Sequence, residues 1–172
     1  MENETNVFAF DVVRVLDCGF SIEEMIDPTD GNIQTGYGMN FTFDVENSWV
    51  QMIVRVDFNT IDTDKTFISG TVLTRFGINN LKGFIDENNL VNFPKGSLET
   101  LFGIAFTHMR AIFAKNISGS RFTNIIVPVI NPNELFPELL NLSIEKFKQF
   151  MGEKDLAKGE SVDFSNFQIK HD

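Results

Sequence analysis

The sequence predicts an α+β fold, in which a four-stranded antiparallel sheet is followed by two helices. Three observations carry that expectation. Between Val7 and Ile78, apolar and polar residues alternate in the period of half-buried strands. The links between these stretches are too short for the crossover that a parallel pair needs. From Ser97 onward the apolar spacing becomes helical, and strands first with helices afterwards is the α+β order.

The first strand is read from Val7 to Leu16, continuing to Ile22. In "YGMNFTFDV" the residues Tyr37, Met39, Phe41, Phe43 and Val45 share one face, with polar residues between them. After the turn "ENS", "WVQMIVRVDF" sets Val50, Met52, Val54, Val56 and Phe58 against Trp49, Gln51, Ile53, Arg55 and Asp57. "NTIDTDK" is a polar turn, and the β-branched stretch Thr66 to Ile78 makes a fourth strand. "PKGS" then breaks the chain, and Gly96 or Ser97 caps a helix running to about Lys115.

That helix is apolar over an unusually wide arc. From Leu98, the residues Leu101, Phe102, Ile104, Ala105, Phe106, Met109, Ala111, Ile112 and Phe113 fall within about 220°, where a surface helix needs little more than about 100°. The width predicts burial on two sides, by the sheet and by a second subunit. Beyond it, "NISGSRFTNIIVPVINPN" reads as a loop with an extended apolar middle, Ile125 to Ile130. A second helix, interrupted near Pro137, carries Leu139, Leu140, Ile144, Phe147, Phe150 and Met151 at helical spacing, with Ser143 as an internal cap. Residues 1–152 form one domain and 153–172 a polar tail.

The 172 residues suffice for a core without disulfides or structural metal. Apolar residues make up 42% and include 19 Phe, which suit cores and greasy binding surfaces alike. A net charge of −10 argues against nucleic acid or an anionic membrane as partner. No run is long enough to span a membrane, and "MENETNVFAF" is the opposite of a secretory leader, so the expected location is cytoplasmic. Cys18 stands alone. "IDPTDGN" lacks the acidic twelfth position of a calcium loop from Asp27 and reads as a turn. His108 and His171 assemble into no catalytic set, and nothing calls for a cofactor or a metal; the chain reads as a non-enzyme.

"AFTHMRAIFAKNISGSRFTNIIVPVINPNELF", Ala105 to Phe136, resembles the central signature of SecB, the bacterial protein-export chaperone. The shared pattern is Phe106 with Arg110 four residues on, a break at Gly119, then Phe122. An aliphatic-Pro-aliphatic stretch, Asn131 and Leu135-Phe136 complete it. "FDVVRV", "YGMNFTFDV" and "VQMIVRVDF" fall on the family's first three strands, so the resemblance spans about Val7 to Phe136. It implies a sheet with the helices on one face and a homotetramer built as a dimer of dimers. Phe102, Phe106 and Phe113 are then expected at the subunit interface. It further implies an ATP-independent holdase that keeps unfolded precursors competent for Sec-dependent export.

The client groove implied by the resemblance comprises Met39, Phe41, Phe43, Phe122, Ile125, Val127, Val129, Phe136, Leu139 and Leu140. In the extended stretch, Val127 and Val129 are expected to point one way, and Ile126 and Pro128 the other. Glu23 falls at a place where SecB meets the SecA motor, but Gly19 and Thr71 replace acidic residues at two others. Two alternatives stand beside export: a SecB-like chaperone that guards an antitoxin of a toxin–antitoxin system, and a carrier of small apolar ligands such as lipids.

Overall fold

The computed structural model describes residues 7–28, 32–86 and 91–153, and side chains up to Leu142. Its elements are β1 (Phe10–Ile22), β2 (Ile33–Asp44), β3 (Trp49–Thr60), β4 (Thr66–Ile78), α1 (Ser97–Ile117) and α2 (Pro132–Glu153). One turn of 3-10 helix, Leu81–Phe84, was not foreshadowed by the sequence pattern and buries both of its end residues. The polar tail expected from residue 153 falls, beyond that first residue, outside the described residues.

All strand pairs are antiparallel, in the order β1-β4-β3-β2. Successive strands pair for β2–β3 and β3–β4, whereas β1 crosses to the far side of β4. Register follows from the alternating pattern, because a slip by one residue would turn every apolar side chain outward. Phe58 faces Ile68, Val54 faces Val72 and Val50 faces Phe76, all buried on the inner face. β2 and β3 pair without a shift from Ile33↔Thr60 to Asp44↔Trp49. β1 carries two irregularities, at Val12/Arg14 and Asp17/Gly19.

Both helices lie on the inner face: α1 packs on β4, β3 and β1, and α2 on β2 and α1. The interior between them is filled by Phe58, Phe67, Phe76, Phe102, Phe113, Met52 and Met109. Gly70 lets α1 settle onto the sheet, since a Cβ there would stand 2.8 Å from Met109 Cε and 3.0 Å from Phe113 Cδ2. α1 ends at Ser118, and Gly119 turns the chain with φ 84°, a left-handed conformation that favours glycine after a helix.

Two sequence expectations are corrected here. α2 is continuous through Pro137. Asn131 organises its start, where its side-chain oxygen accepts from the Asn133 N–H at 3.1 Å and its carbonyl accepts from Leu135 at 3.0 Å. Pro137 then deprives only the carbonyl of exposed Asn133, which water can satisfy. The second correction concerns α1. Its fully buried residues, Leu101, Phe102, Ala105, Phe106, Met109, Phe113 and Ile117, already span about 160° of the helix. Sheet and α2 of the same chain cover that arc. Phe102, Phe106 and Phe113 are 3% exposed or less and have no area left for a second subunit.

Candidate client groove

The ten groove residues implied by the sequence do not share one environment. Met39, Phe122, Val127, Phe136 and Leu139 are buried in the single chain, Phe41, Phe43, Ile125 and Leu140 are half-buried, and Val129 is exposed. β2 projects Tyr37, Met39, Phe41 and Phe43 toward the helices because they occupy alternate positions on its inner face. The Phe41 and Phe43 rings meet edge-on with centroids 5.4 Å apart, and Phe41 lies 6.4 Å from Phe136 of α2. Phe136 in turn lies 5.6 Å from Phe102 of α1, and Tyr37 lies 5.7 Å from Phe106. Strand β2, the first turns of α2 and the inner side of α1 thus meet in one aromatic cluster.

Phe122 stands elsewhere. It packs on Phe67 at 5.4 Å, near the end of α1 that carries Phe113, about 16 Å along the helix axis from Phe102. The preceding Arg121 stacks on its ring at 4.6 Å and donates to the carbonyls of Glu24 and Ile26 and to Asp27 Oδ1. The connecting segment is therefore fastened at one end to the chain that follows β1. Glu23, at that place, is exposed and accepts from the Met25 N–H at 3.1 Å, which holds the local turn.

Between these ends runs the segment 125–130, which joins no β-ladder. Arg110 Nε of α1 donates to the Val127 carbonyl at 3.1 Å and pins the segment at its middle. Val127 is drawn in to 3% exposure, while Ile126 and Val129 stand out at 74% and 78%. This corrects the expectation that Val127 and Val129 point the same way. Alternation needs a ladder to hold the backbone extended, and Pro128 offers no N–H to one. The segment turns Ile125, Val127 and Ile130 toward the protein and Ile126 and Val129 outward. Ile126 is a ligand-facing candidate that the alternation argument passed over.

The aromatic cluster extends further than the sequence reading foresaw. Phe43 lies 5.9 Å from Phe93, Phe93 lies 5.5 Å from Phe84 and 5.1 Å from Phe8. For Phe84 and Phe93 the surplus of Phe was the only signal in the sequence, since they come from stretches without periodicity. His108 is the sole described histidine: its Nδ1 meets buried Thr74 Oγ1 at 3.2 Å, and burial lowers its pKa. Among the described residues no group of three or more His, Cys, Asp or Glu could hold a metal ion. No helix among them is long and apolar enough to cross a membrane.

No protein-family model matches the sequence, and no curated protein matches it. Solved structures do. The chain is similar to the SecB-like chaperone Rv1957 of Mycobacterium tuberculosis, determined in complex with a ChAD peptide from the antitoxin HigA1. The TM-score is 0.52 at 8% identity, over 70% of this chain and 89% of that one. The fold is SecB-like. A protein of unknown function from Streptococcus agalactiae also aligns, with TM-score 0.39 and 10% identity over 72% of this chain and 98% of that one.

Proposed function

We propose that the protein is a SecB-like chaperone, an ATP-independent holdase that takes extended apolar stretches of unfolded polypeptide. The observation that carries this reading is a set of apolar side chains left at the surface: Phe41 and Phe43 of β2, Leu140 of α2, and Ile126 and Val129 of the connecting segment. These side chains keep exposed area on an otherwise well-packed interior. Apolar contact is non-directional, at about 25 cal/mol per Å² of surface removed from water, and does not demand one client sequence. Of the buried members of the predicted set, Phe136 backs Phe41 at 6.4 Å and Val127 anchors the segment that carries Ile126 and Val129, whereas Phe122 lies apart against Phe67.

Two client classes fit. Export precursors follow from the resemblance to SecB, with Glu23 as the contact toward SecA. An antitoxin peptide is supported by the similar chaperone from M. tuberculosis, which was determined with one. We place the protein in the cytoplasm as a homotetramer. With Phe102, Phe106 and Phe113 enclosed, the face that α1 has left for a neighbouring subunit is Thr100, Ile104, Thr107 and Ala111. The carrier reading is disfavoured by the Phe- and Met-filled interior between sheet and α1.

The test is suppression of aggregation of several reduced, denatured clients in the absence of ATP. Suppression near one tetramer per client supports the proposal, and unchanged light scattering with every client refutes it. Native mass spectrometry on the same sample separates the alternatives: an empty tetramer supports the chaperone, and a monomer with co-purified lipid supports the carrier.

A further inference from the structure

The sheet has helices on one face only. α1 and α2 pack on the inner side, and among the described residues no element packs on the outer one. Alternation and register set neighbouring rows of side chains on that outer face. Trp49 pairs with Gly77, Gln51 with Arg75 and Ile53 with Leu73, and on β1 Arg14 pairs with Arg75 and Leu16 with Leu73. Val13, 62% exposed, leans over Gly77, where a Cβ would stand 3.1 Å from Val13 Cγ2. Two arginines thus lie between two apolar rows, the composition found at the centre of protein interfaces.

Within the chain these arginines are under-provided with acceptors. Like charges directly opposite each other on two strands are destabilising, yet Arg14 faces Arg75 in a chain of net charge −10. Arg75 lies over the Trp49 ring at 4.4 Å, and its Nη2 donates to Gln51 Oε1 at 3.0 Å. Among the described residues, Arg75 Nε is the buried side-chain nitrogen left without a hydrogen-bond partner. No ion pair among them includes Arg14. Of the carboxylates on this face, Asp57 accepts from Arg55 Nε at 2.9 and 2.8 Å. Asp44 accepts from the Asn47 N–H at 2.9 Å and Nδ2 at 2.7 Å, and Asp11, opposite Gly77, forms no ion pair with Arg14. A second feature points to an extended occupant. Gly36 and Gly38 of β2 lie on the same face, three strand spacings or about 14 Å across the sheet from Arg14. Neither has a positive φ, and a Cβ at either would meet ordinary contacts of 3.6 Å or more. Nothing among the described residues calls for glycine there, whereas close approach of another backbone does.

We propose that the outer face of the sheet docks an acidic, apolar segment of another polypeptide, with a carboxylate seated between Arg14 and Arg75 and apolar side chains on Trp49, Val13, Leu16 and Leu73. The carboxylate relieves the repulsion between the two arginines and gives them a charge-assisted acceptor. The apolar rows on either side favour a polypeptide over a free anion, which would leave them in water. The proposal does not rest on the chaperone reading: this face is on the opposite side of the sheet from Phe41 and Phe43, and client aggregation is not its readout.

Trp49 is the only tryptophan of the chain, so its emission reports on this face. The test is titration of the full-length protein with a short tryptophan-free peptide that alternates glutamate with leucine, and with its glutamine and lysine counterparts. Expected is a saturable change in Trp49 emission with the glutamate peptide, about tenfold weaker binding of the glutamine peptide and none of the lysine peptide. Arg14→Glu, at an exposed position, is expected to weaken the glutamate peptide by about tenfold or more. It should leave the melting temperature unchanged or higher, because it sets opposite charges across from each other. No emission change with the glutamate peptide, equal binding of the glutamine or lysine peptide, or a lowered melting temperature of Arg14→Glu overturns the proposal. Inorganic phosphate that competes as well as the peptide overturns it too, because the site then takes a small anion alone. So does Trp49 emission that changes on dilution without peptide, because the occupant is then a second copy.

Discussion

Val127 and Val129 are two residues apart and chemically identical, yet the structure gives them opposite surroundings, 3% against 78% exposed. Truncating Val127 to Ala removes two buried methyl groups, worth about 0.8 kcal/mol each, and leaves a cavity under the segment. A loss of about 1.5–3 kcal/mol is expected. For a chain of this size that lowers the melting temperature by roughly 3–12 °C. Val129→Ser changes a side chain already in water and is expected to shift stability by no more than about 0.5 kcal/mol. Under the proposed function its effect falls on client binding, where losing the apolar contact of one valine, about 1 kcal/mol, is expected to weaken a labelled unfolded peptide about fivefold. Chemical unfolding and peptide titration on the same two variants read both quantities. If Val129→Ser destabilises as much as Val127→Ala, the segment is seated differently from the geometry described. If it leaves both stability and affinity unchanged, the exposed side of the segment 125–130 is not where clients bind.

Other expectations can be checked alongside. Gly70→Val places atoms where Met109 and Phe113 already lie and is expected to cost about 1–3 kcal/mol, read as a lowered denaturation midpoint. Gly70→Ala falls at the lower end, because the Met109 terminus can move aside. Arg110→Met removes the donor to the Val127 carbonyl and is expected to cost about 1–2 kcal/mol and to speed proteolysis within residues 120–131. Burial lowers the His108 pKa, so the folded state resists protonation more than the unfolded state does. That contribution is complete above the unfolded pKa of about 6.5 and declines as pH falls below it, and His108→Gln is expected to flatten this part of the stability–pH curve.

How much was legible in the sequence depended on whether a residue's surroundings were local. β3 and β4 could be read almost to the residue, because alternation records a strand buried on one face. The wide arc of α1 was legible too, but its cover was not. Periodicity measures how much of a helix is buried and is silent on whether sheet, neighbouring helix or another subunit does the burying. Phe102, Phe106 and Phe113 were therefore assigned to a partner when α2 and the sheet of the same chain enclose them. The segment 125–130 failed for a related reason. Its conformation is set by Arg110, which is 17 residues from Val127, and no local pattern encodes that hydrogen bond. The cluster of Phe8, Phe84 and Phe93 is likewise assembled by topology, from three irregular stretches.

The strand order has a consequence for the chain as it is made. β1 is synthesised first, but its partner β4 is the last strand of the sheet to emerge. At roughly 5–20 residues per second, β1 waits a few seconds beside a ribosome while β2 and β3 form their hairpin. During that interval it is an extended apolar segment with nothing to pair with, the very kind of polypeptide the finished protein is proposed to hold. The charges of Asp11, Arg14 and Asp17 keep β1 a poor template for neighbouring nascent chains. If the proposed function holds, the protein passes, while it is made, through the predicament from which it protects other chains.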